Sequence, residues 1–491
     1  MRVVPHTGIA MTKVKISLLF LTALVLTACQ LFTGSDTPVS SSTTPISRPN
    51  ILIILSDDQR YDTMEYMPRT AARIFNEGIA FPNAYVTTPW CCPSRASILT
   101  GMYAHNHGVR VLTDPLKKET FVDRLHKAGY YTGQVGKYLN SWDGSTRPEF
   151  DFWVASKEGI TYYFNQRLNV NGTWSVHPGY LTHVLRDYAL EFLRRAAKQE
   201  KPFVLLFSPS APHFTDSPSG KPSQGRDRFL RPPEPAPGDE KLYADLPPHR
   251  PPSWNKTDGS GKPRWFQALR PLAPDTIELI DAFRRAQLQS LNGLDQAVER
   301  LLDELSRQGK LDDTLVIYLS DNGHFWGEHR IPWGKNSVYE ESSRVPFAVR
   351  YPRLVAKPRV DTRLVANIDI APTIYHLARI PIPSEVDGRS LVPLLGDSAK
   401  ANPSVSWREE LLLEGWAPPA LVKAGRAPYA AIHTGRYVYV ETEGDRSELY
   451  DLMSDPQQLQ NQLDNPAHAR IVSDLKPRLQ RLREQKGGEK K

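Results

Sequence analysis

From Pro49 onward, short unbroken apolar runs alternate with stretches of helical periodicity. Asn50-Ile51-Leu52-Ile53-Ile54-Leu55, Phe203-Val204-Leu205-Leu206-Phe207 and Leu315-Val316-Ile317-Tyr318-Leu319 are three such runs. A strand that is apolar at nearly every position has no solvent face, as in a parallel sheet covered on both sides by helices. Between the second and third runs, Leu294, Val298, Leu301, Leu302 and Leu305 share one helical face. This alternation predicts an α/β fold, a large and mainly parallel central sheet flanked by helices.

Each run ends in residues that carry chemistry. Ser56-Asp57-Asp58 follows the first, Ser208-Pro209-Ser210-Ala211-Pro212-His213 the second, and Ser320-Asp321-Asn322 the third. One Asp after a strand reads as a turn or helix-capping residue. Three strand ends with the same grammar read as one site, because ligands of open parallel sheets bind outside the carboxyl ends of strands.

Near residue 405 the texture changes. Tyr429-Ala430-Ala431-Ile432 and Tyr437-Val438-Tyr439-Val440 flank Thr434-Gly435 as a hairpin would. An amphipathic helix with Ile471, Leu475, Leu479 and Leu482 follows, with Pro477 inside it as a break signal. The expected layout is a catalytic domain over 49–404 and a smaller C-terminal subdomain over 405–491, a short antiparallel sheet plus a helix. The Pro-rich stretch 218–274 reads as a long surface excursion that shapes a rim.

The first 28 residues read as a signal peptide, with Met11 as the start, Lys13 and Lys15 as the basic end, and an apolar run from Ile16 to Leu26. Leu26-Thr27-Ala28-Cys29 resembles a bacterial lipobox, so a lipid on Cys29 is expected to anchor the chain to a membrane through a Ser/Thr/Pro-rich linker at 29–48. Cleavage near Ala28 without a lipid is the alternative. The expected location is the bacterial cell envelope, with Gln30 pointing to the outer membrane. Nothing after residue 30 is long and apolar enough to span a bilayer.

Loss of 1–28 removes Arg2, Lys13 and Lys15, which lowers the net charge from +7 by three to +4. That is a mild lean toward anionic ligands and no nucleic-acid signature. Of three cysteines, Cys29 is assigned to the lipid. Cys91 and Cys92 are adjacent, where disulfide geometry strains the intervening peptide.

Asp57, Asp58, Asp321 and Asn322 offer only oxygen ligands, which suits Ca²⁺, with Mg²⁺ as the alternative, better than zinc. Arg95, Lys137, His213 and Lys335 lie in polar, glycine-marked segments. A cation plus several basic groups is what a site for an oxyanion ester needs. No Ser occupies a G-x-S-x-G context, and a plain thiolate fits poorly beside carboxylates that raise its pKa.

CCPSRASILTG at 91–101 resembles the signature C-x-P-S-R-x-x-x-L-T-G of the type I sulfatases, in the alkaline phosphatase superfamily. LSDDQ at 55–59, GKYLN at 136–140, APH at 211–213, LSDNG at 319–323, GK at 334–335 and ELYDLMSDP at 448–456 extend the resemblance over nearly the whole mature chain. CCPSRASILTG, GKYLN and LVANIDIAPTI look most like the N-acetylglucosamine-6-sulfatase branch.

The resemblance implies that a formylglycine-generating enzyme oxidises Cys91 to Cα-formylglycine, whose hydrated aldehyde attacks sulfur. It implies that Asp57, Asp58, Asp321 and Asn322 ligate calcium together with that residue. Arg95 and Lys137 would hold the formylglycine; Lys137, His213 and Lys335 would bind sulfate; and His213 or Lys335 would protonate the leaving oxygen. The implied substrate is a sulfated carbohydrate. Many family members carry a histidine where this chain has Leu139, which leaves His105 and His107 as candidate replacements. Trp142, Tyr162, Tyr163, Trp174, Trp254 and Trp265 are either sugar-stacking or packing residues. A phosphonate monoester or phosphodiester hydrolase, and a non-catalytic glycan-binding lipoprotein, remain open.

Overall fold

The computed structural model describes residues 48–216, 231–256, 258–396, 406–418, 422 and 427–487. The expected leader, Cys29, nearly all of the linker and the 404/405 boundary lie outside the described residues.

The strands of the first half are β1 (Asn50–Ser56), β2 (Ile79–Ala80), β3 (Ala84–Tyr85), β4 (Tyr131–Gly136), β5 (Phe152–Ala155), β6 (Phe164–Val170), β7 (Thr173–Tyr180) and β8 (Phe203–Ser208). Then follow β9 (Thr314–Ser320), β10 (Phe347–Arg350), β11 (Arg359–Val360) and β12 (Val365–Ala366). Ten of them form one sheet in the order β11-β2-β10-β9-β1-β8-β4-β5-β6-β7, while β3 pairs with β12. The three apolar runs of the sequence are its neighbours β8, β1 and β9, and β1 is parallel to both others. The parallel centre extends through β4 to β5, and antiparallel strands β10, β6 and β7 flank it.

Alternate side chains of β1 enter different cores. Ile51, Ile53 and Leu55 pack with helices α1 (Cys91–Thr100), α2 (Phe121–Lys127) and α5 (Ile370–Ala378). Leu52 and Ile54 pack with α3 (Leu181–Ala196) and α4 (Pro274–Arg307). The two-sided burial explains why this strand lacks a polar repeat.

The C-terminal part is a four-stranded antiparallel sheet in chain order, β13 (Leu411–Gly415), β14 (Tyr429–His433), β15 (Tyr437–Thr442) and β16 (Glu448–Asp451). Helix α6 (Ala469–Glu484) buries Leu475, Leu479 and Leu482 in the same core and runs unbroken through Pro477. The stretch read as a surface excursion dips into that core. Lys262 is buried, and its Nζ donates to Tyr450 Oη at 2.6 Å and to the Gln458 carbonyl. Among the described residues, no helix is long and apolar enough to cross a membrane.

Candidate functional site

Backbone hydrogen bonds lace the strand ends together. Asp57 N donates to Ala211 O at 3.3 Å, Asp321 N to Ser56 O at 3.1 Å, and Lys137 N to Ser208 O at 2.8 Å. Side chains after β1, β4, β8 and β9 are thereby tied to the centre of the sheet. Gly136 shows why a glycine precedes Lys137: its φ is +114°, and a Cβ there would lie 2.1 Å from Ser208 O. Asp58 takes φ +64°, a region Asp tolerates better than most side chains.

Cys91 is the first residue of α1, and all ten residues of that helix are buried. Pro93 falls in the first turn, where its missing N–H costs nothing. Gly101 ends the helix in the left-handed region and donates to Ser97 O at 2.8 Å. Arg95 lies four residues after Cys91 and so shares its face. Its Nε donates to Asp321 Oδ2 at 2.7 Å and its Nη1 to Lys137 O at 2.7 Å.

The structure brings Asp57, Asp58, Cys91, Arg95, Lys137, His213, Asp321, Asn322 and Lys335 into one cluster. Cys91 Sγ lies 3.5 Å from Asp57 Oδ1 and 2.8 Å from Lys335 Nζ. Lys137 Nζ pairs with Asp57 Oδ2 at 2.5 Å, and Lys335 Nζ pairs with Asp58 Oδ1. Asn322 Nδ2 donates to Asp58 Oδ1 at 2.7 Å, and Asp58 N donates to Asp321 Oδ1 at 3.2 Å. His213 Nδ1 is held by the Phe214 carbonyl at 2.8 Å, so the nitrogen facing the site is Nε2, 3.8 Å from Asp58 Oδ2.

Charge balance dominates this buried cluster. Burial alone would raise the Asp57 pKa, yet Lys137, His213, Arg95 and Lys335 hold it well below the usual carboxylate range. Burial pushes the Cys91 thiol far above its ordinary value, and the pull of Lys137 and Lys335 does not undo it. The unmodified sulfur is therefore a protonated thiol and a weak nucleophile.

The donor set fits a hard cation. Donor atoms of Asp57, Asp58, Cys91 and His213 lie within 4.8 Å of one another. Asp58 Oδ2 and Asn322 Oδ1 are buried without a hydrogen-bond partner among the described residues. Buried oxygens without partners in a pocket of carboxylates suit an oxygen-coordinated ion.

One site residue escaped the sequence reading. His324 is buried with its ring stacked on Phe283, and its Nδ1 is 3.7 Å from Asp58 Oδ2. The signal was its place two residues beyond Asn322 on the same strand end. The proposed stand-ins for the histidine missing at Leu139 lie elsewhere. His105 pairs with Glu414 at 2.9 Å, while His107 accepts from Val109 N at 3.0 Å and binds Ser97 Oγ at 3.0 Å. Leu139 itself is a core residue. Of the candidate stacking aromatics, Tyr163 is packed in the interior and Trp265 borders a cavity beside Lys335.

The sulfatase family profile matches residues 49–380, and that of the N-sulphoglucosamine sulphohydrolase C-terminal region matches 327–485. A putative extracellular sulfatase homologue of Caenorhabditis elegans is 34% identical over 402 residues, 77% of this chain and 54% of its own. The Homo sapiens N-acetylglucosamine-6-sulfatase is 32% identical over 400 residues, 75% of this chain and 67% of its own. This chain thus spans about half the length of the first relative and two-thirds of the second. A solved structure described as a complex with its substrate D-glucosamine-2-N,6-O-disulfate superposes with a TM-score of 0.76 at 24% identity, covering 91% of this chain and all of the other. With its signature helix, strand-end acids and profile match in agreement, the chain belongs to the sulfatase family.

Proposed function

We propose that this chain removes sulfate from a sulfated glycan, acting at a chain end on 6-O-sulfated N-acetylglucosamine. The observation that carries the reading is Cys91, buried at the start of α1 between the Asp57–Asp58 pair and the ammonium of Lys335. The N-acetylglucosamine-6-sulfatases among its relatives support the sugar, as does the neighbour bound to a 6-O-sulfated glucosamine.

Asp57, Asp58, Asp321 and Asn322 are the residues to hold a divalent cation, Ca²⁺ rather than Mg²⁺ because flexible carboxylate and amide oxygens suit it. When present, formylglycine made from Cys91 supplies a hydrated-aldehyde oxygen nucleophile, and the cation supplies Lewis acidity toward sulfate. The chain's own residues do the rest. Arg95 and Lys137 fix the Cys91 position and offset negative charge there. Lys335 meets the charge of the sulfate oxygens at the same point. His213 presents Nε2 to the leaving sugar oxygen, with Lys335 as the alternative proton donor.

Maturation by a formylglycine-generating enzyme and anchorage through Cys29 in a bacterial envelope belong to the same proposal, supported by the motifs at 91–101 and 26–29. The experiment is mass spectrometry of the Cys91 peptide from active material. It is paired with release assays on a 6-sulfated amino sugar, an aryl sulfate and a phosphonate ester. Conversion of Cys91 with preferred release from the amino sugar is expected. A persistent thiol in active protein, or preferred phosphonate cleavage, overturns the reading.

A further inference from the structure

Tyr163 immediately precedes β6 and is buried, so it offers no face to a sugar. Its hydroxyl ends at the candidate active site instead, donating to the backbone carbonyl of His213 at 2.8 Å.

That bond matters because the His213 ring takes its position from its own backbone. Nδ1 is held by the carbonyl of the next residue, Phe214, and the ring stacks on the Phe214 side chain with centroids 4.0 Å apart. Both contacts are local, so the ring follows the backbone. Where Nε2 points is then decided by what fixes the carbonyls at 212 and 213. Two side chains reach them from two different elements. Tyr163 holds the carbonyl of His213, and Gln287 of α4 donates from Nε2 to the carbonyl of Pro212 at 3.2 Å.

The two supports are themselves secured. The Trp326 indole N–H donates to Gln287 Oε1, which orients that amide. Leu181 N, at the start of α3, donates to Tyr163 O at 2.7 Å. The turn ahead of Tyr163 grips the same segment a second time. Thr161 Oγ1 donates to Ser210 Oγ at 3.0 Å, Asp216 N to Thr161 O at 2.8 Å, and Thr161 N to Asp216 Oδ2 at 2.9 Å. So much fixing of one short segment is out of proportion to a loop that only connects. It suits a group whose aim sets a rate, since a displacement of about 1 Å can cost on the order of a hundredfold.

We propose that Tyr163 is a positioning residue for His213. Through the carbonyl at 213 it keeps Nε2 aimed at the departing oxygen, with Gln287 as the second support. The inference rests on the reading above that His213 serves that oxygen, and adds what aims it.

The test is a kinetic series on the matured enzyme with Tyr163→Phe, His213→Ala and the double variant. The substrates are a 6-sulfated amino sugar and a set of aryl sulfates of graded leaving-group acidity, with nitrophenyl sulfate at the acidic end. A sugar alcohol leaves badly without a proton, whereas nitrophenolate needs none. For Tyr163→Phe, kcat on the amino sugar should fall roughly tenfold to a hundredfold with KM within about twofold, and nitrophenyl sulfate should lose no more than about twofold. Along the aryl series the loss should grow as the leaving group becomes more basic. A purely structural role would lower every substrate by one factor. Because Tyr163 acts through the imidazole, adding Tyr163→Phe to His213→Ala should cost less than about twofold more. Gln287→Met should repeat the pattern, and it decides the matter if the Tyr163 variant does not fold. Unchanged turnover, a loss that ignores the leaving group while that of His213→Ala follows it, or losses that multiply in the double variant overturn the proposal. A His213→Ala loss that ignores the leaving group, with nothing added by Tyr163→Phe, sinks the leaving-oxygen reading and keeps the positioning link. No release from the amino sugar sinks the substrate reading alone, and the aryl series still decides the positioning.

Discussion

The Arg95 guanidinium binds the Asp321 carboxylate at 2.7 Å, tying the second turn of α1 to the end of β9. Both side chains are buried. Removing one partner strands a charge, and the expected cost is about 3–5 kcal/mol. Arg95→Met should therefore lower the unfolding free energy measured in urea by that amount. Adding Asp321→Asn to it should restore part of the loss. Equal midpoints for Arg95→Met and wild type would show that the pair is not coupled.

The two cysteines should behave differently. Cys91→Ala is expected to keep a cooperative fold and lose turnover. Cys92 is a buried side chain with Sγ 3.6 Å from Ser141 Oγ. Cys92→Ala should cost about 1 kcal/mol, in the usual range for a small core change, and retain sulfate release. Loss of release in well-folded Cys92→Ala protein would assign that sulfur a role the geometry does not give it.

Ion removal should be visible without any substrate. Asp58 Oδ2 and Asn322 Oδ1, without a hydrogen-bond partner among the described residues, would gain one from a bound ion. Chelation should lower the melting temperature and Ca²⁺ should restore it. The stabilisation is about 2.7 kcal/mol at an ion concentration a hundred times the dissociation constant. Asp58→Asn should flatten this response. A melting curve indifferent to both chelator and Ca²⁺ would remove the cation from the site.

A pH-dependent contact joins the turn after α1 to the end of α6. Burial disfavours the charged His105 imidazole, but its hydrogen bond to Glu414 outweighs that and raises its pKa above the ordinary 6.5. Its Nε2 lies 3.1 Å from Gln485 O. Because the folded value is the higher one, the stabilisation is complete below pH 6.5 and fades as pH rises through the folded value. Nearby Asp387 is pushed up from 3.8 to about 6 by burial, so its contribution has the same sign and is lost as pH rises through about 6. The stability gap between wild type and His105→Gln, about 0.5–1 kcal/mol for a partly exposed pair, should therefore shrink above pH 6.5. Turnover of His105→Gln should be unchanged. A large turnover loss would revive His105 as the replacement for the histidine absent at Leu139.

What could be read from the chain follows from how each segment is buried. The runs that became β8, β1 and β9 were plain because strands covered on both faces are apolar at nearly every position, and their polar ends stood out against them. Helix α1 gave no amphipathic stripe, since its ten residues are all buried and no face is left polar. Only the motif marked it. The hairpin of β6 and β7 did leave a sign that went unread. Asn171-Gly172 joins the two strands with φ of +49° and +98°, the positive pair a two-residue hairpin turn demands. Pro477 misled in the other direction. The buried Leu475, Leu479 and Leu482 keep α6 whole despite the proline. His324 stands two residues beyond Asn322 in the chain, and only the pairing of β1 with β9 sets it against Asp58.

The burial of Cys91 also imposes a schedule. Its side chain is 2% exposed, with β1's acids on one side and Lys335 on the other. Another protein's catalytic site cannot close around the buried backbone of α1. Any protein that rewrites this sulfur must meet residues 91–101 while they are still an extended peptide. If Cys91 is converted as proposed, the yield of active molecules is set by a race between that encounter and the closure of the sheet ends, and faster folding would lower it.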